Sequence, residues 1–252
     1  KNHVEQLNVL LFYTTFYVGS ECSTNIVSTG AVPNLQLANF IPWIINNLGK
    51  KKFFIVGSNY GYPQEMAKVS KFLIEKHGGE WIADEYLSLS HSEWGAMVNK
   101  IKNSGCDVVL SNVVGDSVIA FYREFINQGL KHEDLPICAT VTSEIEVKAM
   151  GARYAAGSYS SFPYLQAIDT PENKAFIERF RKFTGDPKAV THHAMESAYF
   201  QVFLWAKLAK RVKIVKASEL IAEAEKGATF KAPSGEHVLD GGNLHVSHTH
   251  LC

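Results

Sequence analysis

No Cys-x-x-Cys pair, Gly-x-Ser-x-Gly elbow, Walker A loop or His-Glu-x-x-His helix occurs in this chain. The sequence-legible routes to dithiol redox, acyl-transfer, nucleotide-triphosphate and zinc-peptidase chemistry are therefore missing. An excess of one charge is missing too. Lys+Arg and Asp+Glu stand at 25 each, which removes the electrostatic footprint of a nucleic-acid partner or an anionic membrane surface. No apolar run approaches the ~18 residues that a bilayer-spanning helix needs, and no leader-like segment opens the chain. The first residue is Lys1 and the last five are His-Thr-His-Leu-Cys, so both ends read as cut, and a targeting segment is expected to be one of the parts lost. The four cysteines, Cys22, Cys106, Cys138 and Cys252, are far apart. Cys106 and Cys138 lie in apolar, strand-like runs and read as buried thiols.

What the chain does have is apolar material and regular punctuation. Hydrophobic residues make up 46% of 252, enough for one large domain or two lobes. Residues 51–63, KKFFIVGSNYGYP, carry the clearest signal. Phe53-Phe54-Ile55-Val56 is an uninterrupted apolar run, the pattern of a strand covered on both faces. Gly57 to Tyr62 form a loop with two tyrosines, and Pro63 suits the first position of a helix. Ligands of open α/β sheets sit beyond the carboxyl ends of the strands. Two phenols there can each offer an aromatic face and a hydroxyl.

The rest of the chain falls around this stretch. A strand is expected at 9–12, extended chain at 26–29, and a helix carrying Leu37, Phe40, Ile41, Ile44, Ile45 and Leu48, closed by Gly49. Strands at 51–57, 81–89, 106–114, 135–141 and 158–164 alternate with helices at about 63–77, from 92, to about 127, and 144–150. The first of these helices is expected to turn Met66, Val69, Phe72 and Leu73 to one face. Such alternation argues for a parallel, doubly wound sheet. Beyond 164 the pattern turns helical. Thr170-Pro171 reads as a cap with proline at the first position, a helix follows to about 183, and another runs over 193–210 with Ala198, Val202, Trp205 and Leu208 on one stripe. A third helix covers 218–226, and 229–238 reads as a hairpin turning at Pro233–Gly235. These helices need a sheet to cover, and the stretch at 9–12 supplies little of one, so the second lobe reads as incomplete.

Seven stretches follow one another in order: FYTTFYVGSECSTNIVSTGAVPN, FFIVGSNYGYP, VVGDSVIAFYREF, TSEIEVKAMG, IDTPENKAF, ESAYFQVFLWAKLA, and FKAPSGEHVLD with NLHVSHTH. Together they resemble the type I periplasmic-binding-protein family, in its branch that binds urea and short-chain amides. That branch includes substrate-binding subunits of ABC transporters and an amide-sensing regulator of an amidase operon. The resemblance implies two α/β lobes with doubly wound parallel sheets, joined by three crossovers and closing on a ligand. Residues 1–34 would be part of the N-terminal lobe, 35–164 the C-terminal, Rossmann-like lobe, and 165–252 the return to the first. The first strands of the N-terminal lobe and a final C-terminal segment would be the missing pieces, one lobe being incomplete.

Residue by residue, the resemblance implies ligand contacts at Tyr13 and Thr15 in one lobe. In the other it implies Tyr60 with Tyr62, then Gly115 and Asp116 at the switch point, then Thr142, Ser143 and Glu144 at the next strand–helix junction. Asp116 and Glu144 have a plainer reading as helix caps or first-turn acids favoured by the helix dipole, and Phe12, Phe16 and Tyr17 read as packing. A small planar amide asks for a few placed hydrogen-bond groups, aromatic walls and exclusion of water. The expected function is a solute-binding protein of an ABC transporter, periplasmic or extracytoplasmic, meeting an ABC permease and using no cofactor or metal. His192-His193 and the spacing of His245, His248, His250 and Cys252 invite a zinc reading, but no metal role attaches to the family's histidine loop. Two alternatives remain: a cytoplasmic amide sensor acting through a partner protein, toward which Thr15 leans, and a branched-chain amino-acid-type binding protein. An amidase is disfavoured because no nucleophile with an adjacent base is legible.

Overall fold

The computed structural model describes residues 1–18, 23–213 and 215–247. Cys22, His248, His250 and Cys252 lie outside the described residues. The chain divides into two compact units: Lys1–Val32 with the described residues from Pro163 onward, and Pro33–Phe162.

The first unit opens with a helix the sequence pattern does not announce, α1 (Asn2–Gln6). Strands β1 (Leu11–Tyr13) and β2 (Ile26–Ser28) follow and pair in parallel, Leu11 opposite Ile26 and Tyr13 opposite Ser28.

The second unit is a five-stranded parallel sheet with helices between its strands. The single helix expected around 37–48 is two, α2 (Pro33–Leu37) and α3 (Phe40–Asn47), broken at Ala38-Asn39. Strand β3 (Lys52–Ser58) is buried from Phe53 onward, as its apolar run demands. Helix α4 (Gly61–Lys76) begins two residues before Pro63, with Tyr60 at its N-cap. Proline is tolerated at the third position because the first four N–H groups of a helix have no intrahelical acceptor. The buried face of α4 carries Met66, Ala67, Ser70, Leu73 and Ile74, whereas Phe72, expected on that face, is 64% exposed. Ser70 fits the buried side by donating its hydroxyl to the Met66 carbonyl at 2.7 Å.

Strand β4 (Glu80–Leu87), helix α5 (Gly95–Asn103), strand β5 (Val108–Asn112) and helix α6 (Asp116–Asn127) come next. After them stand β6 (Ile137–Ala139), α7 (Glu144–Met150), α8 (Ala152–Ala155) and β7 (Tyr159–Ser160), the last much shorter than the run at 158–164 suggested. The strand order is β4-β3-β5-β6-β7, every pairing parallel. One core cluster packs beneath this sheet, with Trp94, Phe121, Tyr122 and Phe125 among its fully buried rings. The Cys138 thiol is buried and the Cys106 thiol partly so, and burial raises the pKa of Cys106.

The chain then returns to the first unit through α9 (Pro171–Thr184), α10 (His193–Val212), α11 (Ala217–Ala224) and the strands β8 (Ala228–Ala232), β9 (Gly235–Leu239) and β10 (Val246–Ser247). Thr170 caps α9 by accepting from the Asn173 N–H at 3.1 Å, with Pro171 at the first position. Strands β8, β9 and β10 form an antiparallel sheet in the order β10-β9-β8. Its inner face joins Val27, Phe200, Leu204 and Leu208 in a second core.

The stripe expected on α10 is rotated. Ala198, Val202 and Trp205 are exposed, and the buried face runs through His193, Glu196, Ser197, Phe200, Leu204 and Leu208. A hydropathy pattern skips that face because its first turn is polar. Glu196 nonetheless finds partners through its Oε1. Ser234, at the hairpin turn, donates its N–H and its hydroxyl to Glu196 Oε1 at 3.2 and 2.7 Å, and its Oγ lies 2.7 Å from His237 Nε2. His237 Nδ1 lies 2.8 Å from the Ser247 carbonyl, which can only accept. This buried chain ties the hairpin to α10.

Candidate functional site

In the second unit β4 lies on one side of β3, and β5, β6 and β7 on the other. The chain therefore reverses direction across the sheet at β3, and the crevice of such a sheet opens beyond the carboxyl ends of β3 and β5. Seven of the nine residues singled out in the sequence lie at the three strand-to-helix junctions of this edge: Tyr60 and Tyr62 after β3, Gly115 and Asp116 after β5, and Thr142, Ser143 and Glu144 after β6. Tyr13 and Thr15 belong to the other unit.

Tyr60 sits in extended backbone at the start of α4. Its loop is held by two backbone bonds, Asn59 N–H to the carbonyl of Leu87 at the end of β4 at 2.7 Å and Tyr60 N–H to the Ser58 carbonyl at 3.0 Å. The Tyr60 ring is half-buried, its centroid 6.4 Å from that of Tyr62. Tyr62 itself is only 1% exposed and donates its hydroxyl to Gln36 Oε1 at 2.8 Å. Burial drives the Tyr62 pKa far up, so that phenol stays a hydrogen-bond donor at any ordinary pH.

The loop after β5 is tied to the end of β3 by the Val114 N–H, which donates to Ser58 Oγ at 3.1 Å. Gly115 has φ 65°, the left-handed region that side chains avoid, and it is the N-cap of α6. Asp116 is the exposed first residue of that helix, where the dipole favours its charge. Two buried polar atoms stand beside this loop with no hydrogen-bond partner among the described residues, Asn112 Nδ2 and Ser117 Oγ. Asn112 Oδ1 accepts from the Thr140 hydroxyl at 2.7 Å.

At the third loop the three residues divide by role. Thr142 accepts the Tyr122 hydroxyl at 3.3 Å, and its carbonyl accepts from Ser160 Oγ at 2.7 Å. Ser143 closes a capping box: its Oγ accepts from the Ile145 N–H, and Glu146 Oε2 accepts from the Ser143 N–H and hydroxyl at 2.8 and 2.6 Å. Glu144 is the half-buried first residue of α7. The helix-capping role weighed for Asp116 and Glu144 thus falls to Gly115 and Ser143, the residues just before them.

In the first unit, Tyr13 ends β1, and its carbonyl accepts from Thr29 N–H, Gly30 N–H and Thr29 Oγ at 2.8, 3.0 and 3.1 Å. A Cβ at Gly30 would stand 1.8 Å from the Thr15 carbonyl oxygen, so only glycine allows this approach. Thr15 is exposed. Phe16 lies with its ring centroid 6.0 Å from that of His193, and Tyr17 packs edge-on against His245 at 4.9 Å. A cavity of about 600 Å³ in this unit is lined by Tyr17, Ser28, Asn243 and His245 among others. Among the described residues no group of three or more His, Cys, Asp or Glu is arranged to hold a metal ion. Likewise, no described helix is long and apolar enough to cross a membrane.

Sequence reading passed over Gln36, Asn112 and Tyr122, the partner of Thr142. Each is a polar residue inside or beside an apolar run, and that interruption is the only signal it leaves.

Comparison with known proteins places this geometry. A "Leu/Ile/Val-binding protein homolog 6" of Brucella suis biovar 1 is 26% identical over 202 residues, covering 79% of this chain and 51% of that protein. An "Amino acid binding protein" of Pseudomonas aeruginosa is 26% identical over 155 residues, covering 62% of this chain and 41% of that protein. The chain thus spans about half the length of the curated relatives it matches. A solute-binding protein of an ABC transporter from Rhodopseudomonas palustris HaA2, solved with p-hydroxybenzoic acid, shares the fold at a TM-score of 0.85 and 23% identity, covering 98% of this chain and 68% of that one. Residues 1–251 match the periplasmic binding protein domain, and the chain belongs to that family.

Proposed function

We propose that this chain is the ligand-capturing part of an ABC-type solute-binding protein, and that it takes an aliphatic amino acid at the carboxyl edge of β3, β5 and β6. The observation that carries this reading is the placement of two carboxylates, Asp116 and Glu144, each the first residue of a helix starting at that edge. An amino acid brings an ammonium group, which a carboxylate meets with a charge-assisted hydrogen bond. Neither a neutral amide nor an aromatic acid brings an ammonium group to this edge. Tyr60 is the proposed aromatic wall, with Gly115 and Thr142 shaping the floor. The amino-acid-binding names of the Brucella and Pseudomonas relatives support the same class. The role is binding rather than catalysis, the partner an ABC permease and the compartment the periplasm.

The resemblance of the ordered motifs to urea- and amide-binding proteins favours a second reading in which the ligand is urea or a short-chain amide. Isothermal titration of the chain with leucine, isoleucine, valine, acetamide and urea separates the two. Heat from the amino acids alone is the expected result. Heat from acetamide or urea alone would replace the first reading with the second.

A further inference from the structure

Gln36 lies three residues past Pro33, where the chain enters the second unit, and Ser161 lies one residue before Phe162, where it leaves. The two hold each other reciprocally. Gln36 Nε2 donates to the Ser161 carbonyl at 3.3 Å, and Ser161 Oγ donates to the Gln36 carbonyl at 2.9 Å. Gln36 Nε2 also donates to the Thr140 carbonyl at 2.7 Å, one residue beyond β6. The side-chain oxygen, Oε1, accepts the Tyr62 hydroxyl. The amide orientation is therefore fixed by its surroundings, since a flipped amide would set its oxygen against two carbonyl oxygens. Gln36, Thr140 and Ser161 are all 0% exposed and Tyr62 is 1% exposed. In so dry a setting an unmade bond carries the full cost of desolvation, so the network resists partial opening. Tyr62, in the first turn of α4, in turn packs beside Tyr60 at the end of the loop after β3.

We propose that Gln36 is a positioning residue for the Tyr60 loop. Through Tyr62 it binds that loop to both segments by which the chain enters and leaves the unit. Loop and crossings then move as one hydrogen-bonded body, and the ring offered to ligand keeps its place only while that body is intact. The link to ligand rests on the proposed reading of Tyr60 as a contact; the mechanical coupling does not.

The test is amide-resolved hydrogen–deuterium exchange on wild type, Gln36→Leu, Tyr62→Phe and the double variant, with leucine and acetamide titrations beside it. In Gln36→Leu the amides of Asn59, Tyr60 and Ser161 should exchange together about tenfold faster, the scale set by losing a buried hydrogen bond or two. The Leu110 amide, in the middle of β5, should not change. Tyr62→Phe should speed Asn59 and Tyr60 to the same extent and Ser161 less. The double variant should add nothing at Asn59 and Tyr60, which a residue serving only general stability would not produce. Should Gln36→Leu fail to fold, Tyr62→Phe, which removes one hydroxyl, carries the test alone. Faster exchange in the loop with Ser161 unchanged, or additive effects in the double variant, would overturn the coupling. Whichever compound wild type binds should bind the variants about tenfold more weakly, and unchanged affinity despite faster loop exchange would overturn the positioning role. If wild type binds neither compound, the ligand reading fails while the exchange data still decide the coupling.

Discussion

His193 makes acid the sharpest probe of the first unit. The ring is buried at the first position of α10 and accepts the Ala31 N–H on Nε2 at 3.1 Å. An imidazole that accepts on one nitrogen is neutral, with its proton on the other. Burial first, and the neighbouring His192 and His237 after it, lower its pKa from 6.5 to about 3. The unfolded chain therefore binds a proton that the folded chain refuses over this window. Stability from this group is fully present above about pH 6.5 and is lost progressively as pH falls toward 3. At about 1.4 kcal/mol per pH unit the whole interval amounts to roughly 4–5 kcal/mol, a large share of a typical domain's stability. Guanidinium unfolding of wild type and His193→Gln, followed from pH 7.5 down to about 4, isolates the contribution by difference. Wild type should lose stability more steeply below about pH 6.5, approaching one proton's worth of slope more than the variant. Parallel curves for the two proteins would refute the neutral, acceptor role of His193.

Gly30→Ala would force a Cβ to within 1.8 Å of the Thr15 carbonyl oxygen, so β1 and the turn after β2 must part; a loss of about 3 kcal/mol or more is expected in thermal unfolding, and a melting point within a degree of wild type would show that the segment relaxes freely. Ser234→Ala strips Glu196 Oε1 of a hydroxyl donor in a fully buried site, and about 2–3 kcal/mol should be lost in denaturant titration. Thr170→Ala removes the cap of α9 and its hydroxyl bond to the Pro233 carbonyl, at about 1 kcal/mol by the same assay.

Much of the second unit was legible because each element carries its own punctuation. Gly78-Gly79, Gly105 and Gly129 end the helices between continuous apolar strands, and local signals of that kind need no knowledge of what packs where. The loops that follow β3, β5 and β6 could be placed at one sheet edge for the same reason. What could not be read depends on long-range partners. The buried face of α10 begins with His193 and Glu196, polar residues whose acceptability rests on Ala31, Ser234 and His237, the nearest of which is 38 residues from Glu196. Gln36 likewise draws its meaning from Tyr62, Thr140 and Ser161, up to 125 residues away. Strand β7 is short because Ser161 and Phe162, though buried like a strand, lead out of the unit. Nothing local marks the difference.

The reading of the site turns on whether a carboxylate at the edge of the second unit meets a ligand ammonium. The direct measurement is the leucine affinity of wild type against Glu144→Gln, a substitution that keeps shape and removes charge. If Glu144 answers the ammonium, the variant should bind leucine about 10- to 100-fold more weakly, the worth of one charge-assisted hydrogen bond. Equal leucine affinity in the two proteins, or acetamide binding by both with no response to leucine, would contradict it.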